Sequence, residues 1–557
     1  MDQKPDLAQI ARSAIRNSPW LVIAIMLHVV LIAVMSVVYI HHVRQKEENA
    51  VASVAVAAPR EEAEEITEVP QVVDRKAVPK NEQAEVVEYE RDMFVPHSEP
   101  QPDEDLTQEA GDPESLTNLP TGSGGGTGIG VGAGGHGGPT SPFSSRKAGP
   151  GTAPRGRAAG NTQGTEKAVL EGLRWLLRHQ NPDGSWGADT LHERCIPETR
   201  CVQPDPELTP FHNEGLTSLA LLAFLGAGYS NDSKQDIVDT VKGKRHRLGE
   251  VVKNGLQWLA KRQKADGSFS AEKTFMYNEA LATLALAEAY GLTQNRYWRD
   301  FAQKGVDFLV SAQLAAPDGK GLRGWRYVPR AEAEKKLGED PEYAKNNFHR
   351  SDTSVTGWVV MALKSAEISG LKVPPEAYAG ALEHAKFVCH PDGKAGYLDP
   401  RDAGLPVAGR HDHYKYHPGV MSALAALTKI FAEKNPDDPF FDAAAKQILT
   451  DLPVVTKDQL SIDYYYWYYG SLALNQLDGP DSPRKTGKYW GPWNRAMTEA
   501  VLGLQEKEER SCKRGGWIVS DRWGLVAGGP IYTTAINVLT LEVYYRYENA
   551  FGGGKRK

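Results

Sequence analysis

From Thr165 onward two kinds of hydrophobic pattern alternate along the chain. The first is one-faced. In EGLRWLLRHQNPDGSWG (residues 171–187) small and apolar residues recur at helical spacing, a Gln stands near the end of the run, and Asp-Gly and an aromatic follow. NGLQWLAKRQKADGSFS (254–270) and KGVDFLVSAQLAAPDGKGLRGW (304–325) repeat the pattern, while GALEHAKFVCHPDGKAGYLD (380–399) and TEAVLGLQEKEERSCKRGGW (498–517) are worn copies. Each copy predicts a helix stopped by a Gly-containing turn, with the aromatic folded back as a plug. The second kind is apolar all round: residues 213–228, 278–291, 351–370, 417–431, 463–477 and 532–547. Their starts are separated by 65, 73, 66, 46 and 69 residues, the mark of a repeat architecture.

One-faced helices belong outside and wholly apolar ones inside. Six such pairs closing head to tail predict an all-α fold, an (α/α)6 toroid of six helical hairpins over residues 161–551. An open superhelical stack is the competing arrangement. In a closed ring the inner helices start at one mouth, ringed by His212, Glu214, Tyr277, Glu279, His349, Asp352, His413, His417, Asp463, Tyr464 and Tyr532. Convergent helix amino ends favour anionic groups. Beneath them Trp358, Tyr465, Trp467 and Tyr468 line an apolar well or simply pack the core, and both readings stay open.

A different pattern precedes the repeats. Residues 20–40, WLVIAIMLHVVLIAVMSVVYI, run 21 positions without Asp, Glu, Lys or Arg. A helix of that length spans roughly 30 Å, the thickness of bilayer hydrocarbon, and predicts one transmembrane helix behind a cytoplasmic segment, 1–19. A cleaved secretory signal is the alternative, with the Ala-rich stretch 50–58 as the cleavage region. Lys4, Arg12 and Arg16 precede the span and Arg44 and Lys46 follow it, which favours the amino terminus inside and an extracytoplasmic (periplasmic) body. His28, inside the span, is either a partner-helix contact or a tolerated neutral imidazole. Residues 41–121 form an acidic linker; between Glu47 and Pro120 there are 20 acidic and five basic residues, with no sustained apolar period. Such a segment cannot offset its chain entropy by burial. Residues 122–160, Gly-rich then basic, continue as flexible linker, and 552–557 form a short basic tail.

Taken whole, the 557 residues carry 64 Lys and Arg against 71 Asp and Glu, a net charge of −7. The acidic linker accounts for that excess, so the repeat region is near neutral and no nucleic-acid partner is implied. Four Cys in so long a chain exclude a disulfide scaffold. Cys195 and Cys201, in one Pro-containing loop, could close a small disulfide if the body is extracytoplasmic.

Gly172, Trp175, Leu176, Gln180, Gly184 and Trp186, with Gly255, Trp258, Leu259, Gln263, Gly267 and Phe269, resemble the Gln-Trp repeat of squalene-hopene cyclases and the wider prenyltransferase and squalene-oxidase-repeat family. The later stretches 463–477, 493–497 and 528–547 look like bacterial membrane-anchored members of that set. The resemblance implies the toroid and, at most, chemistry on an isoprenoid. Class II cyclases protonate an alkene with an Asp-x-Asp-Asp acid, and this chain has no such motif; Asp352, at the corresponding helix start, is the single candidate acid and is otherwise a helix N-cap. Protein prenyltransferases hold zinc through Asp-x-Cys, and none of the four Cys has Asp two residues before it. A looser set, His411, Asp412, His413 and His417, with His349 and Asp352 nearby, is equally a hydrogen-bonded polar loop. The sequence therefore assigns no metal and no cofactor. It supports a ligand-binding or interaction module with a hydrophobic or polymeric ligand, bound to the bilayer through one helix and open to an envelope membrane-protein partner. The alternative is a cyclase or transferase acting on an isoprenoid or other lipid-like substrate.

Overall fold

The computed structural model describes Phe143, Arg146 and residues 162–201, 212–270, 273–316, 321–340, 350–400, 414–433 and 435–547. The expected anchor at 20–40, the acidic linker, His28, His349 and His411–His413 lie outside the described residues, as does the basic tail.

Outer and inner helices alternate as the pattern predicts. They are α1 (Gln163–Arg178), α2 (Asn213–Gly226), α3 (Leu248–Arg262), α4 (Met276–Thr293), α5 (Arg296–Ser311), α6 (Thr353–Ile368), α7 (Pro375–Val388), α8 (Gly419–Ala432), α9 (Phe440–Leu449), α10 (Tyr464–Asp478), α11 (Trp490–Leu504) and α12 (Gly529–Leu541). The odd-numbered helices are amphipathic: α5 buries only Trp298, Ala302, Gly305, Val306, Phe308 and Leu309. The even-numbered ones are buried on every side, α10 along its whole length. Each inner helix packs on the next, α2 on α4 and so on to α12, and α12 packs back on α2. The outer helices lie against this layer, with α11 also touching α1. That closure makes the body a helical toroid rather than an open stack.

The repeated Gln explains the closure in chemical terms. Gln180 at the end of α1 donates its amide to the Gly184 carbonyl of its own turn (2.9 Å) and to Val251 O of α3 (2.9 Å). Gln263 reaches Gly267 O and Phe301 O of α5 in the same way, and Gln313 reaches Ala377 O of α7. Gln505, after α11, donates to Gly515 O and to Ala168 O of α1 (2.8 Å), joining the last outer helix to the first. The turn glycines are dictated by the same contact. Gly184 has φ +95°, and a Cβ there would stand 2.4 Å from Asn254 O of α3; Gly515 has φ +86° and would place one 2.2 Å from Glu171 O of α1. The aromatic plugs are buried, and Trp186, Trp325 and Trp517 each donate their indole N–H to a carbonyl of the outer helix before them, at 2.7–2.8 Å.

Three features escaped the pattern. The outer helix α9 has only ten residues and lacks the Gln-turn-aromatic signature, which accounts for the 46-residue interval in the sequence. A short antiparallel hairpin, β1 (Asp236–Val238) with β2 (Arg245–Arg247), links α2 to α3. A ten-residue helix, Arg330–Glu339, lies between α5 and α6. In addition, Phe143 and Arg146 are buried against the carboxyl ends of the inner helices. There Arg146 pairs with Glu288 of α4 (2.9 Å), Arg546 pairs with the other oxygen of Glu288 (2.8 Å), and all three side chains are removed from solvent.

Candidate functional site

The amino ends of α4, α6 and α10 converge on Asp352. Backbone bonds set the geometry: Asp352 N donates to Trp325 O (2.9 Å), Met276 N to Tyr327 O (2.9 Å) and Thr353 N to Tyr397 O (3.0 Å). The residues directly after the third and fourth turns are thereby held over the helix starts. Asp352 is the N-cap of α6, its Oδ1 accepting from Val355 N (2.7 Å), as expected for a carboxylate at a helix amino end. Its Oδ2 lies 3.7 Å from the buried Arg326 guanidinium, which also stands over the Tyr327 and Tyr397 rings at 5.1 and 5.8 Å. Burial pushes the Asp352 carboxyl up to about 6, with Arg326 and the backbone N–H groups pulling the other way. From α7, His384 braces this segment through Ser351 Oγ (2.8 Å) and Thr353 Oγ1 (3.2 Å); burial, aided by Arg323 and Arg326, lowers its imidazole to about 3.

A hydroxyl chain crosses the ring at this level. Tyr277 Oη of α4 and Tyr465 Oη of α10 each lie 2.6 Å from Ser354 Oγ of α6. Tyr327 and Tyr397 are bonded hydroxyl to hydroxyl. Phe275 joins Tyr277 and Tyr327 at 5.2 and 6.2 Å between ring centroids, His212 stacks obliquely on Phe275 at 5.6 Å, and Trp523 meets Tyr465 at 5.9 Å. Phe275, Tyr277, Tyr327, Tyr397 and Trp523 are half-buried, so they form an aromatic rim with one face of the cluster toward solvent. Below it Trp358 of α6 stacks on Tyr468 of α10 (5.8 Å) and meets Tyr469 edge-on (5.5 Å). The Tyr-rich run therefore divides by face. Tyr465, Tyr468 and Tyr469 point to the axis, whereas Tyr466 stacks on His417 and meets Trp493 edge-on, and Trp467 packs on Tyr464.

A second carboxylate group lies where α10 begins. Asp463 caps α10 through Tyr466 N (2.9 Å), and Asp521 accepts from Tyr464 N (2.9 Å) and Gly524 N (2.6 Å). Burial and the neighbouring Asp463 push Asp521 up to about 7, and burial raises Asp463 as well. The buried Tyr532 hydroxyl, on α12, faces this pair without a hydrogen-bond partner among the described residues.

The other expected mouth residues have internal partners. Glu279 accepts from Phe269 N, Ser270 N and Ser270 Oγ at 2.6–3.0 Å and so locks the second turn; burial raises it to about 7. Glu214 is buried with Arg262 at 3.3 Å. His212 is half-buried, and desolvation lowers it to about 4. His417 is withdrawn from the mouth: its Nδ1 meets Asp451 (2.5 Å) and its Nε2 meets Ser461 O (3.1 Å), so both nitrogens are used. Tyr464 donates to Val519 O (3.1 Å) and likewise serves packing. Sequence reasoning missed Arg326, Tyr327, Tyr397 and Asp521. Their signal was position, since each follows the turn of a repeat within a few residues. The Cys195–Cys201 bridge that the sequence left open is not formed, and all four cysteines are free. Three of them gather around His179, the set among the described residues that could hold a metal.

No protein-family model and no curated protein matches this chain. Among solved structures it is similar to apo type II terpene cyclase MstE from Scytonema, at 14% identity over 68% of this chain and 97% of that one, with a TM-score of 0.42. It is also similar to an inactive variant of the α-1,6-mannanase GH76A of Salegentibacter sp. HEL1_6 in complex with α-1,6-mannotetrose, at 11% identity over 68% and 98%, TM-score 0.41.

Proposed function

We propose that this chain is a membrane-anchored binding module. Its body is an (α/α)6 toroid of six outer–inner hairpins related to the squalene-hopene cyclase repeats, carried on the 20–40 helix and the acidic linker outside the cytoplasm. It receives a polymeric ligand on the aromatic rim around Asp352. The observation that carries this reading is the contact across the axis. α6 and α10 are not neighbours in the ring, yet Trp358 and Ser354 meet Tyr468 and Tyr465 there. A substrate folded at the axis would need the space that these side chains already fill. Asp352 also suits binding better than alkene protonation, which calls for a carboxylic acid stronger than usual, while burial makes this one weaker. Half-buried Tyr and Trp rings with buried polar neighbours instead offer stacking surface at little entropic cost. The bilayer is a partner through one helix, and an envelope membrane protein is a further partner.

The test is recovery of ligand with the full-length chain extracted in mild detergent, analysed by mass spectrometry and by binding to immobilised envelope glycans and peptides. Tyr327→Ala and Tyr397→Ala are expected to weaken capture roughly tenfold, the value of one or two stacked rings. Recovery of an isoprenoid that the protein converts would overturn the reading. That outcome belongs to a second one, enzymatic catalysis, which the Asp463–Asp521 pair favours: two buried carboxylates, one protonated near neutral pH, are the equipment of a general acid–base step. Loss of that turnover in Asp521→Asn would establish it.

A further inference from the structure

Four side chains that the rim does not use meet at the seam between the first and last outer helices. His179 is the C-cap of α1, Cys195 and Cys201 flank the 3-10 turn Pro197–Thr199 in the loop leaving α1, and Cys512 lies in the loop after α11. All four are buried. Their ligand atoms lie within 4.8 Å of one another. His179 Nε2 is 3.2 Å from Cys512 Sγ, 3.5 Å from Cys201 Sγ and 3.7 Å from Cys195 Sγ.

These distances fit one arrangement. A tetrahedral zinc with Zn–N of about 2.0 Å and Zn–S of about 2.3 Å separates its ligand atoms by about 3.5–3.8 Å. A disulfide would draw two sulfurs to about 2.05 Å, and none of the thiols is so bonded. The histidine is oriented for the same purpose. Its Nδ1 lies 2.8 Å from Trp175 O; a carbonyl only accepts, so Nδ1 carries the proton and the Nε2 lone pair faces the sulfurs. Backbone N–H groups point at the thiols, Ile196 N at Cys512 Sγ (3.3 Å) and Cys201 N at Cys195 Sγ (3.5 Å), the bonds that stabilise thiolates. The loop carrying Cys512 is fixed independently. Cys512 N donates to Thr199 Oγ1 (2.9 Å), and Arg178 Nη1 donates to Cys512 O (2.9 Å) and Arg514 O (3.1 Å).

We propose that His179, Cys195, Cys201 and Cys512 form a Cys3His site for Zn²⁺ that clasps the ends of the toroid. Four protein ligands fill a tetrahedral shell and leave no position for water or substrate, which makes the site structural. His179 and Cys512 are 333 residues apart, so the metal closes nearly the whole repeat region into one loop across the α1–α11 seam. The seam otherwise rests on such bonds as Gln505 to Ala168 O.

The experiment measures metal content by mass spectrometry on the full-length chain, purified in detergent without chelator. One zinc per chain is expected. Cys512→Ser and Cys201→Ser should lower occupancy roughly tenfold or more, whereas Cys389→Ser, whose thiol lies outside the cluster, should retain it. Exchange of the wild-type chain into Co²⁺ gives a readout independent of the variants' folding: the ligand-field bands of a tetrahedral ion and thiolate-to-cobalt charge transfer should appear together. Chelation should also lower the thermal midpoint of the wild-type chain. A wild-type chain that is metal-free as purified and stays so after incubation with Zn²⁺, or a disulfide between any two of Cys195, Cys201 and Cys512 in the unreduced protein, would overturn the proposal.

Discussion

Asp352 shows how much one residue's surroundings decide. A carboxylate at a helix amino end is ordinarily stabilised, yet here burial outweighs the cap and Arg326 together and leaves the group near 6. A carboxyl whose folded value exceeds its unfolded one destabilises the fold in full above the folded value; the penalty shrinks as pH falls from there and is gone only below the unfolded value. A rise of about two units corresponds to a penalty on the order of 3 kcal/mol at pH 8. Asp352→Asn keeps the acceptor for Val355 N and removes the charge, so its thermal midpoint at pH 8 should exceed the wild type's, and the gain should shrink toward pH 5. Glu279 and Asp521, both raised to about 7, push in the same direction, so the wild-type midpoint should climb between pH 8 and 6.5. His212 and His384 oppose this lower down. Their folded values, about 4 and about 3, lie below the ordinary 6.5, so stability is lost as the unfolded chain protonates beneath pH 6.5. With three raised carboxylates against two lowered histidines, the midpoint should keep climbing as pH falls below 6, and thermal melts across pH 4.5–8 check it; a midpoint rising monotonically to pH 8 would contradict the burial of these carboxylates.

At the scale of elements, the repeat signature is a joint rather than a decoration. Gln180, Gln263, Gln313 and Gln505 each donate to a carbonyl of the outer helix that follows, and the turn glycine allows that helix to come close. Gln505→Ala would leave the buried Ala168 and Gly515 carbonyls without this donor, at about 1–3 kcal/mol for an unsatisfied group. Chemical denaturation should register that loss. Gly515→Ala should cost more than Gln505→Ala, because it combines an unfavourable φ with a Cβ driven into the α1 backbone. These joints were legible in the chain wherever Gln, Gly and Trp kept their spacing. The helix α9 was not, since without its Gln-turn-aromatic tail nothing but the apolar face of Phe441, Ala444, Ala445 and Ile448 marks it as outer.

For the whole molecule, two buried devices tie distant parts of the chain together. One is the Cys3His cluster. The other is the ionic group at the carboxyl ends of the inner helices, where Glu288 is shared by Arg146 and Arg546. Removing one partner of a buried group leaves uncompensated charge, so Glu288→Gln should cost about 3–5 kcal/mol. Calorimetry would show it as a lowered midpoint of the entire body rather than a separate early transition. The membrane reading belongs at this scale too. Among the described residues no helix is long and apolar enough to cross a bilayer, and the 20–40 span lies outside them. A chain lacking residues 1–46 is expected to leave the membrane pellet under conditions in which the full chain stays; its retention would place the attachment elsewhere.

The alternation of one-faced and wholly apolar segments, and with it the inner and outer layers, was determined by the sequence alone, because helical periodicity and turn chemistry are local properties. The starts of the inner helices, and so Asp352 as a cap, followed from the same local rules. Which side chains share a site was decided only by the tertiary structure. Arg326 and Tyr397 reach Asp352 because three turns are bonded to three helix starts, and His179 finds Cys512 because the last outer helix returns to the first. No local pattern encodes such meetings; they arise from closure of the ring, which makes residues hundreds of positions apart into neighbours.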